Sequence, residues 1–349
     1  MGCGVWGVWY DYLQCVGTVY LVLSTLFFFV VAKRAPPLSR FVKTLTRLCT
    51  CARVFIPHRG ATRIQQIGTT PPAARGKEYV VKVIKKAYLF SDEERESVVT
   101  EAAIHATLVH PHIVRLFDSF ESASHVYLVM ERVRGLTLHA YMRDKPSFTE
   151  AETAVLVKQL LRATEHLHSH GIIHCDIKPQ NLLLHKPRDG SSGRYHTVML
   201  CDFGTARRSR DARYFHRTGS VSLVPFSTVT GTMGFVAPEV LRKRHFDSAI
   251  DMWSIGVLLY EMLVGFAPFY PYSTCIDEDV DFPERYWGSI GAQARELVAG
   301  LLQRDPSKRW SAKAALAHPW MANAPAPGVA SVSSATVGAF SSTPATRWK

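Results

Sequence analysis

The chain has 349 residues, of which 47 % are hydrophobic and 20 % are charged. This composition is typical of a globular protein with a sizeable core, and it excludes a disordered or fibrous chain. The formal net charge is +12, and the chain has seven cysteines. An odd, scattered set of cysteines argues against a disulfide framework and favours reduced thiols in the cytosol.

An uncharged apolar stretch occupies residues 13–32. As a helix it would be about 30 Å long, which is enough to cross a bilayer. Lys33 and Arg34 follow at once, and the positive-inside rule then places the rest of the chain in the cytosol. We therefore predict a single-pass membrane protein whose N-terminal segment is 1–34. A signal peptide and a non-physiological start are the alternatives, and without an anchor the protein would be cytoplasmic.

Residues 33–63 contain eight lysines and arginines and no acidic residue. This charge suits an anionic membrane surface better than nucleic acid, because few aromatic side chains lie between the basic ones. We therefore expect the segment to contact anionic lipid and expect no nucleic-acid partner. Residues 35–62 are irregular and are interpreted as a basic linker.

Periodic elements follow the linker. Residues 79–84 alternate as a β-strand that contains Lys82, and the helix after it contains Glu101. Residues 126–130 form an apolar run typical of a buried strand, and residues 149–170 have helical periodicity.

Polar residues with a regular spacing come after the helix of residues 149–170. Asp176, Lys178 and Asn181 lie in one short stretch, and Asp202 follows an apolar run. Phosphoryl transfer to a hydroxyl needs a carboxylate that orients the hydroxyl and accepts its proton, and a cation that steadies the moving group. An amide and a second carboxylate supply the oxygen ligands that Mg²⁺ prefers. The spacing therefore favours Mg²⁺-dependent phosphoryl transfer.

These residues stand in two recognisable motifs. His174-Cys175-Asp176 with Asn181 matches the H-R-D-x-x-x-x-N pattern of protein kinases, and Asp202-Phe203-Gly204 matches D-F-G. Over about residues 63–321 the sequence resembles a eukaryotic-type Ser/Thr protein kinase. The style of the hinge and of the C-terminal motifs is similar to that of calcium/calmodulin-dependent kinases.

The resemblance implies an α+β protein with the bilobal protein kinase fold. The small β-rich lobe would span residues 63–134, and the large helical lobe would span residues 135–321. Residues 322–349 are rich in Ala, Ser, Thr, Pro and Gly, and they are interpreted as a disordered tail.

An ATP site between the two lobes is also implied. Lys82 would contact the α- and β-phosphates and pair with Glu101. Met130 would be the gatekeeper, and Glu131 and Val133 would belong to the hinge that binds adenine. The glycine-rich loop that covers the phosphates would begin at Gly68. This loop lacks its later glycines and is shorter than usual.

The family pattern assigns the chemistry as well. Asp176 would be the base that orients the substrate hydroxyl, and Lys178 would neutralise charge on the transferred group. Asn181 and Asp202 would bind Mg²⁺. Thr232, in the peptide loop, would contact Asp176 and Lys178.

Three further residues are expected to be structural. Glu239 would form a buried ion pair with Arg309, and Asp251 would brace the catalytic loop. Removing one member of such a buried pair should cost several kcal/mol.

Three positions depart from the family or stay open. Cys175 replaces the arginine that normally binds a phosphorylated activation loop. His105 replaces an apolar residue, and we expect a neutral core histidine there. Thr228 is either a phosphorylation site or an ordinary solvated hydroxyl.

We predict a kinase that transfers the γ-phosphoryl group of ATP, with Mg²⁺, to Ser/Thr hydroxyls of protein substrates, tethered to a membrane. The alternative is a catalytically weak pseudokinase that acts as a binding scaffold. That alternative rests on the glycine-poor loop, on His105 and on a short segment between Phe269 and Phe282.

Overall fold

The computed structural model describes residues 19–24, 27–32, 79–145, 148–185, 197–209, 233–242 and 246–324. For residues 19–24 and 27–32 only the backbone is considered. The sites predicted at Gly68, Thr228 and Thr232, the basic stretch 33–63 and most of the tail lie outside the described residues.

The small lobe is built on a five-stranded antiparallel sheet of order β1-β2-β3-β5-β4. Its strands are β1 (Val19–Ser24), β2 (Phe27–Ala32), β3 (Tyr79–Lys85), β4 (Leu116–Glu121) and β5 (His125–Glu131). Strand β3 is central and pairs with β5 over its whole length, from Tyr79↔Glu131 to Lys85↔His125. The predicted strand that contains Lys82 is therefore confirmed, and its neighbour β5 leads directly into the hinge.

Helix α1 (Asp92–His105) packs beside this sheet. It begins at a capping box, in which the Ser91 side chain accepts from the Glu94 N–H and the Glu94 side chain accepts from the Ser91 N–H. Three acidic residues in the first turn complement the helix dipole. These local signals fix the start of the helix that carries Glu101.

The single membrane-spanning helix predicted over residues 13–32 is wrong. Val19–Ser24 and Phe27–Ala32 are antiparallel strands, and β2 pairs with β3 in the register Phe28↔Val83 to Ala32↔Tyr79. The stretch is rich in β-branched and aromatic residues, which favour strands, and pairing with β3 gives its backbone groups partners. Within the ranges described, no helix is both long enough and apolar enough to cross a membrane.

The large lobe is helical. Its longer helices are α3 (Glu150–Ser169), α5 (Ala249–Val264) and α7 (Ala292–Leu301), and the shorter ones are α2 (Leu138–Asp144), α4 (Pro238–Leu241), α6 (Glu284–Trp287), α8 (Ala312–Ala317) and α9 (Pro319–Ala322). Helix α3 starts at a second capping box, formed by Thr149 and Glu152. Helix α5 is buried over almost all of its residues and ends at Gly265, whose φ of 88° suits glycine.

Two small sheets lie between the sheet lobe and the helices. One has the order β6-β8-β9 and consists of β6 (Gly135–Thr137), β8 (Leu182–His185) and β9 (Thr197–Leu200). The other pairs β7 (Ile172–Ile173) with β10 (Arg207–Arg208). The catalytic stretch 174–181 runs from β7 to β8, and residues 202–204 follow β9. The small sheets thus bring the two predicted motifs together, and the bilobal α+β fold is confirmed.

Candidate active site

The catalytic loop 174–181 is anchored from below by helix α5. The buried Asp251 carboxylate accepts hydrogen bonds from the main-chain N–H groups of His174 and Cys175, both at 2.9 Å. Cys175 has a φ of 66°, in the left-handed region that costs a non-glycine residue about 1–2 kcal/mol. The two bonds to Asp251 hold that strained turn, which directs Asp176 out of the loop.

A histidine that sequence reasoning missed completes the anchor. His168, in the last turn of α3, lies with Nε2 2.9 Å from Asp251 Oδ2. Burial raises the pKa of Asp251, but the contacts with His168 and His174 together outweigh burial and leave the pKa below its ordinary value. The only signal in the sequence was a polar residue on the buried side of α3.

Asp176, Lys178 and Asn181 form one interlocked group. Lys178 Nζ lies 2.8 Å from Asp176 Oδ2. The Asn181 side-chain amide donates to the Asp176 main-chain oxygen at 2.8 Å and to its Oδ2 at 2.9 Å. These bonds fix the orientation of the carboxylate, and within the described part of the chain its Oδ1 makes no hydrogen bond and could accept one from a hydroxyl.

Lys82, Glu101 and Asp202 meet above this loop. Lys82 Nζ lies 2.8 Å from Glu101 Oε1 and 2.8 Å from Asp202 Oδ1. Lys82 and Glu101 are almost fully buried, whereas the Asp202 side chain is 40 % exposed. One ammonium group therefore joins a helix of the small lobe to the D-F-G segment.

The pKa values in this group follow from burial and from the shared charge. Burial lowers the pKa of Lys82, but the two carboxylates outweigh burial and raise it above its ordinary value. Burial raises the pKa of Glu101 in spite of Lys82. Burial also raises the pKa of Asp202, but Lys82, together with His174 and the Gly204 N–H, outweighs burial and holds the pKa below its ordinary value. At neutral pH the lysine is charged and Asp202 is ionised.

The residues present fit a divalent cation. The Asn181 amide donates both of its hydrogens to Asp176, so its amide oxygen is directed away from Asp176 and can act as an acceptor. Asp202 contacts Lys82 through Oδ1, and its side chain is partly exposed. In the described ranges no three His, Cys, Asp or Glu side chains are grouped to hold a metal. A hard cation between Asn181 and Asp202 would therefore complete its oxygen ligands with phosphate and water, as Mg²⁺ does.

The predicted adenine slot lies at the end of β5. Met130 is buried against Val114 and Met199, and Val133, Leu183 and Cys201 pack around them. The Glu131 N–H donates to the Arg115 main-chain oxygen at 2.8 Å. These apolar walls suit a flat heterocycle.

The D-F-G segment is held on two sides. Asp202 has a φ of 64°, and the following Phe203 is fully buried. The Phe203 ring centroid lies 5.1 Å from that of His174 and 4.7 Å from that of His105. From α1, Ser97 donates to the Gly204 main-chain oxygen at 3.1 Å. Helix α1, the D-F-G segment and the catalytic loop are therefore in direct contact.

Glu239 and Arg309 form a separate buried pair in the large lobe. Arg309 Nη1 lies 2.7 Å from Glu239 Oε1, and Nη2 lies 3.0 Å from Oε2. Arg309 also donates to the main-chain oxygens of Gln303 and Ala249, both at 2.9 Å. All the polar groups of this pair have partners, which suits a structural role.

The peptide loop is described only from Met233 onward. A Cβ atom at Gly234 would lie 2.9 Å from the Tyr272 ring, so that this position accepts only glycine without rearrangement. The short segment after Phe269 therefore packs directly against the loop that should hold the substrate peptide.

The structure thus has two lobes with a group of charged side chains between them. Residues 69–321 match the protein kinase domain family. The chain is 37 % identical over 256 residues to a Dictyostelium discoideum protein named "Probable myosin light chain kinase", and the aligned part covers 70 % of this chain and 75 % of that protein.

Two further relatives agree. Myosin light chain kinase A of the same organism is 36 % identical over 269 residues, which cover 75 % of this chain and 85 % of the relative. Calcium/calmodulin-dependent protein kinase type 1 of Macrobrachium nipponense is 34 % identical over 247 residues, covering 69 % and 66 % respectively. The chain belongs to the protein kinase domain family, and it is a Ser/Thr protein kinase.

Proposed function

We propose that the protein transfers the γ-phosphoryl group of ATP to Ser or Thr hydroxyls of protein substrates, with Asp176 as the catalytic base. The observation that carries this proposal is the interlocked Asp176–Lys178–Asn181 group. Its carboxylate is held at Oδ2 by an ammonium group and an amide, and among the described residues Oδ1 has no such partner. A group whose only role is to hold the loop would use both oxygens, as Asp251 does.

Each neighbouring residue has a role that follows from its charge and position. Lys82 binds the α- and β-phosphates, and Glu101 keeps its ammonium group in place. Lys178 stabilises the negative charge that develops on the transferred group. Asn181 and Asp202 would hold Mg²⁺, which when bound would neutralise phosphate charge and orient the leaving group. The Asp176 carboxylate accepts the hydroxyl proton at its free Oδ1.

The test uses the full-length chain, Mg²⁺, ATP labelled in the γ-phosphoryl group, and a mixed Ser/Thr protein substrate. Wild type should transfer label, and acid hydrolysis should recover it as phosphoserine or phosphothreonine. Asp176→Asn should lower kcat about 100-fold to 10,000-fold, because the base is lost while the shape is kept. Asp144→Asn, a substitution of an exposed carboxylate on α2, is the matched control and should leave kcat unchanged.

The scaffold alternative predicts a different outcome. A folded wild-type chain that transfers no label, and whose rate does not differ from that of Asp176→Asn, would reject the kinase proposal and leave the scaffold. One support for the scaffold is weakened, because His105 is hydrogen-bonded and stacked within the core.

Contact of the basic stretch 33–63 with anionic lipid stays a prediction of the sequence. Its test is cosedimentation of the full-length chain with vesicles that contain phosphatidylserine. Binding that falls steeply with salt would support it, and equal binding to neutral vesicles would contradict it.

A further inference from the structure

His105 is a polar residue in the middle of the apolar contact between α1 and the D-F-G segment. It is the last residue of α1 and only 1 % exposed. Its Nε2 lies 2.6 Å from the main-chain oxygen of Val114. Its ring lies against that of Phe203, with a centroid separation of 4.7 Å and a tilt of 38°. The side chain thus fills the space as an apolar residue would, and it also makes one hydrogen bond.

The hydrogen bond determines the state of the imidazole. A carbonyl oxygen can only accept, so Nε2 of His105 must carry the proton and donate. Nδ1 is buried and has no hydrogen-bond partner in the described part of the chain. Burial lowers the pKa of His105 to about 4, with Lys82 and His174 acting in the same direction, against Val114 and Asp202. At neutral pH the ring is therefore an uncharged donor.

The acceptor connects α1 to the strand that leads to Asp202. The Val114 N–H donates to the main-chain oxygen of Leu200 at 2.9 Å, and the Leu200 N–H donates to that of His112 at 2.9 Å. Leu200 is the last residue of β9, two residues before Asp202. A short polar chain therefore runs from His105 through Val114 to the residues next to Asp202.

The other end of this chain is close to Glu101. Glu101 precedes His105 by one turn of the same helix, so both residues move when α1 moves. Lys82 Nζ contacts the carboxylates of Glu101 and Asp202 at the same time, both at 2.8 Å. A displacement of α1 relative to β9 would break one of the two contacts.

We propose that His105 is a positioning residue whose hydrogen bond to Val114 holds α1 in register with the Asp202 segment, so that Glu101 and Asp202 both reach Lys82. This inference rests on the proposed roles of those three residues. An apolar side chain at this position keeps the stacking on Phe203, but it leaves the buried Val114 oxygen without its donor. Loss of one partner from a buried hydrogen bond is worth about 5-fold to 100-fold in an equilibrium, by the usual cost of an unsatisfied group.

Three substitutions separate the hydrogen bond from the ring. His105→Gln places an amide nitrogen near the Nε2 position and keeps the donor without the ring. His105→Phe keeps the ring without the donor, and His105→Leu removes both. The measurement is kcat and the KM for ATP of each full-length variant, per folded molecule, at a temperature well below unfolding. We expect Gln to lie within about 3-fold of wild type, and Phe and Leu to lose about 10-fold in kcat with little change in KM.

Ile104→Val is the control, because Ile104 is equally buried on the same helix but faces the large-lobe core. It should lower stability and leave kcat unchanged. A Phe variant that is as active as the Gln variant, or more active, would overturn the positioning role and assign the effect to stacking. A Leu variant as active as wild type would overturn it as well.

Hydrogen–deuterium exchange of residues 92–105 gives a readout that does not depend on activity. Exchange in α1 should be faster in the Phe and Leu variants than in wild type and Gln. If wild type itself transfers no label, the proposed function fails, and exchange alone then decides the role of His105. Equal exchange in all four proteins would reject the proposal.

Discussion

Two buried ion-pair sites in this protein use similar charges to different ends. Arg309 and Glu239 both belong to the large lobe, match one to one, and are almost fully buried. Lys82 is shared by Glu101 from the small lobe and Asp202 from the segment between the lobes, and Asp202 is partly exposed. The first site is complete by itself, whereas the second has one negative charge in excess. An excess of negative charge favours the binding of a cation, so the imbalance of charge itself indicates function.

The largest expected difference comes from removing a carboxylate charge at the shared site. Asp202→Asn should lower kcat about 1,000-fold, because a cation ligand and a negative charge are lost where phosphate is bound. The free energy of unfolding should change by less than about 1 kcal/mol, since Lys82 keeps Glu101 and Asp202 is partly in water. Label transfer and urea unfolding measure the two effects. A large loss of stability would place Asp202 with the structural pair instead.

The matched change at the complete site should do the reverse. Glu239→Gln leaves the Arg309 guanidinium buried without its counter-charge, so the free energy of unfolding should fall by about 3–5 kcal/mol. Activity per folded molecule should stay near that of wild type. Urea unfolding with activity assayed on the folded fraction checks both points. If stability is unchanged, then the charge of Glu239 is not needed, and the comparison with Lys82 fails.

The next largest expected effect is the pH dependence of the stability that His105 contributes. The pKa of His105 is about 4 in the folded protein and about 6.5 when exposed, so between these values the unfolded state binds more protons. Stability due to the neutral ring is therefore complete above pH 6.5 and declines as the pH falls towards 4, by about 3 kcal/mol in total. The groups that act on this ring are Lys82, Asp202 and His174.

The test is the difference in unfolding free energy between wild type and His105→Leu, measured from pH 7.5 to 4.5. Other histidines titrate in both proteins and cancel in the difference. Wild type should lose stability relative to Leu as the pH falls. A difference that is independent of pH would show that His105 does not stay neutral when folded.

The smallest expected effect compares the two capping boxes. Ser91→Ala and Thr149→Ala remove the same kind of cap from α1 and α3, and each should cost about 1 kcal/mol of unfolding free energy. Only Ser91→Ala should also lower kcat, by a few-fold. Helix α1 carries Glu101, whereas α3 belongs to the core of the large lobe. Equal kcat values in the two variants would mean that the position of α1 does not limit activity.

The sequence was sufficient for the residues that stand in local motifs. Asp176, Lys178 and Asn181 lie within six positions, so the short loop after β7 keeps their side chains close together. Lys82 and Glu101 were assigned because they stand where the resemblance to protein kinases places the ATP lysine and its glutamate partner. The α+β fold was an expectation from the same resemblance.

Three features could not be predicted in this way. An apolar run such as residues 13–32 has the composition of a membrane helix and also of two buried strands, and only pairing with β3 distinguishes them. His168 is not part of any motif, and its contact with Asp251 joins residues 83 positions apart. Likewise the hydrogen bond from His105 to Val114 depends on the path of the chain after α1.

The core of the large lobe includes Ile104, Leu108 and Ile113, which the chain supplies before it reaches the hinge. The boundary of the large-lobe core therefore does not coincide with the hinge, although the hinge joins the two lobes in sequence. A chain cut at the hinge would give one fragment that carries these three apolar side chains and another that carries the apolar surface they cover. Each fragment alone would therefore expose apolar surface that the intact chain buries.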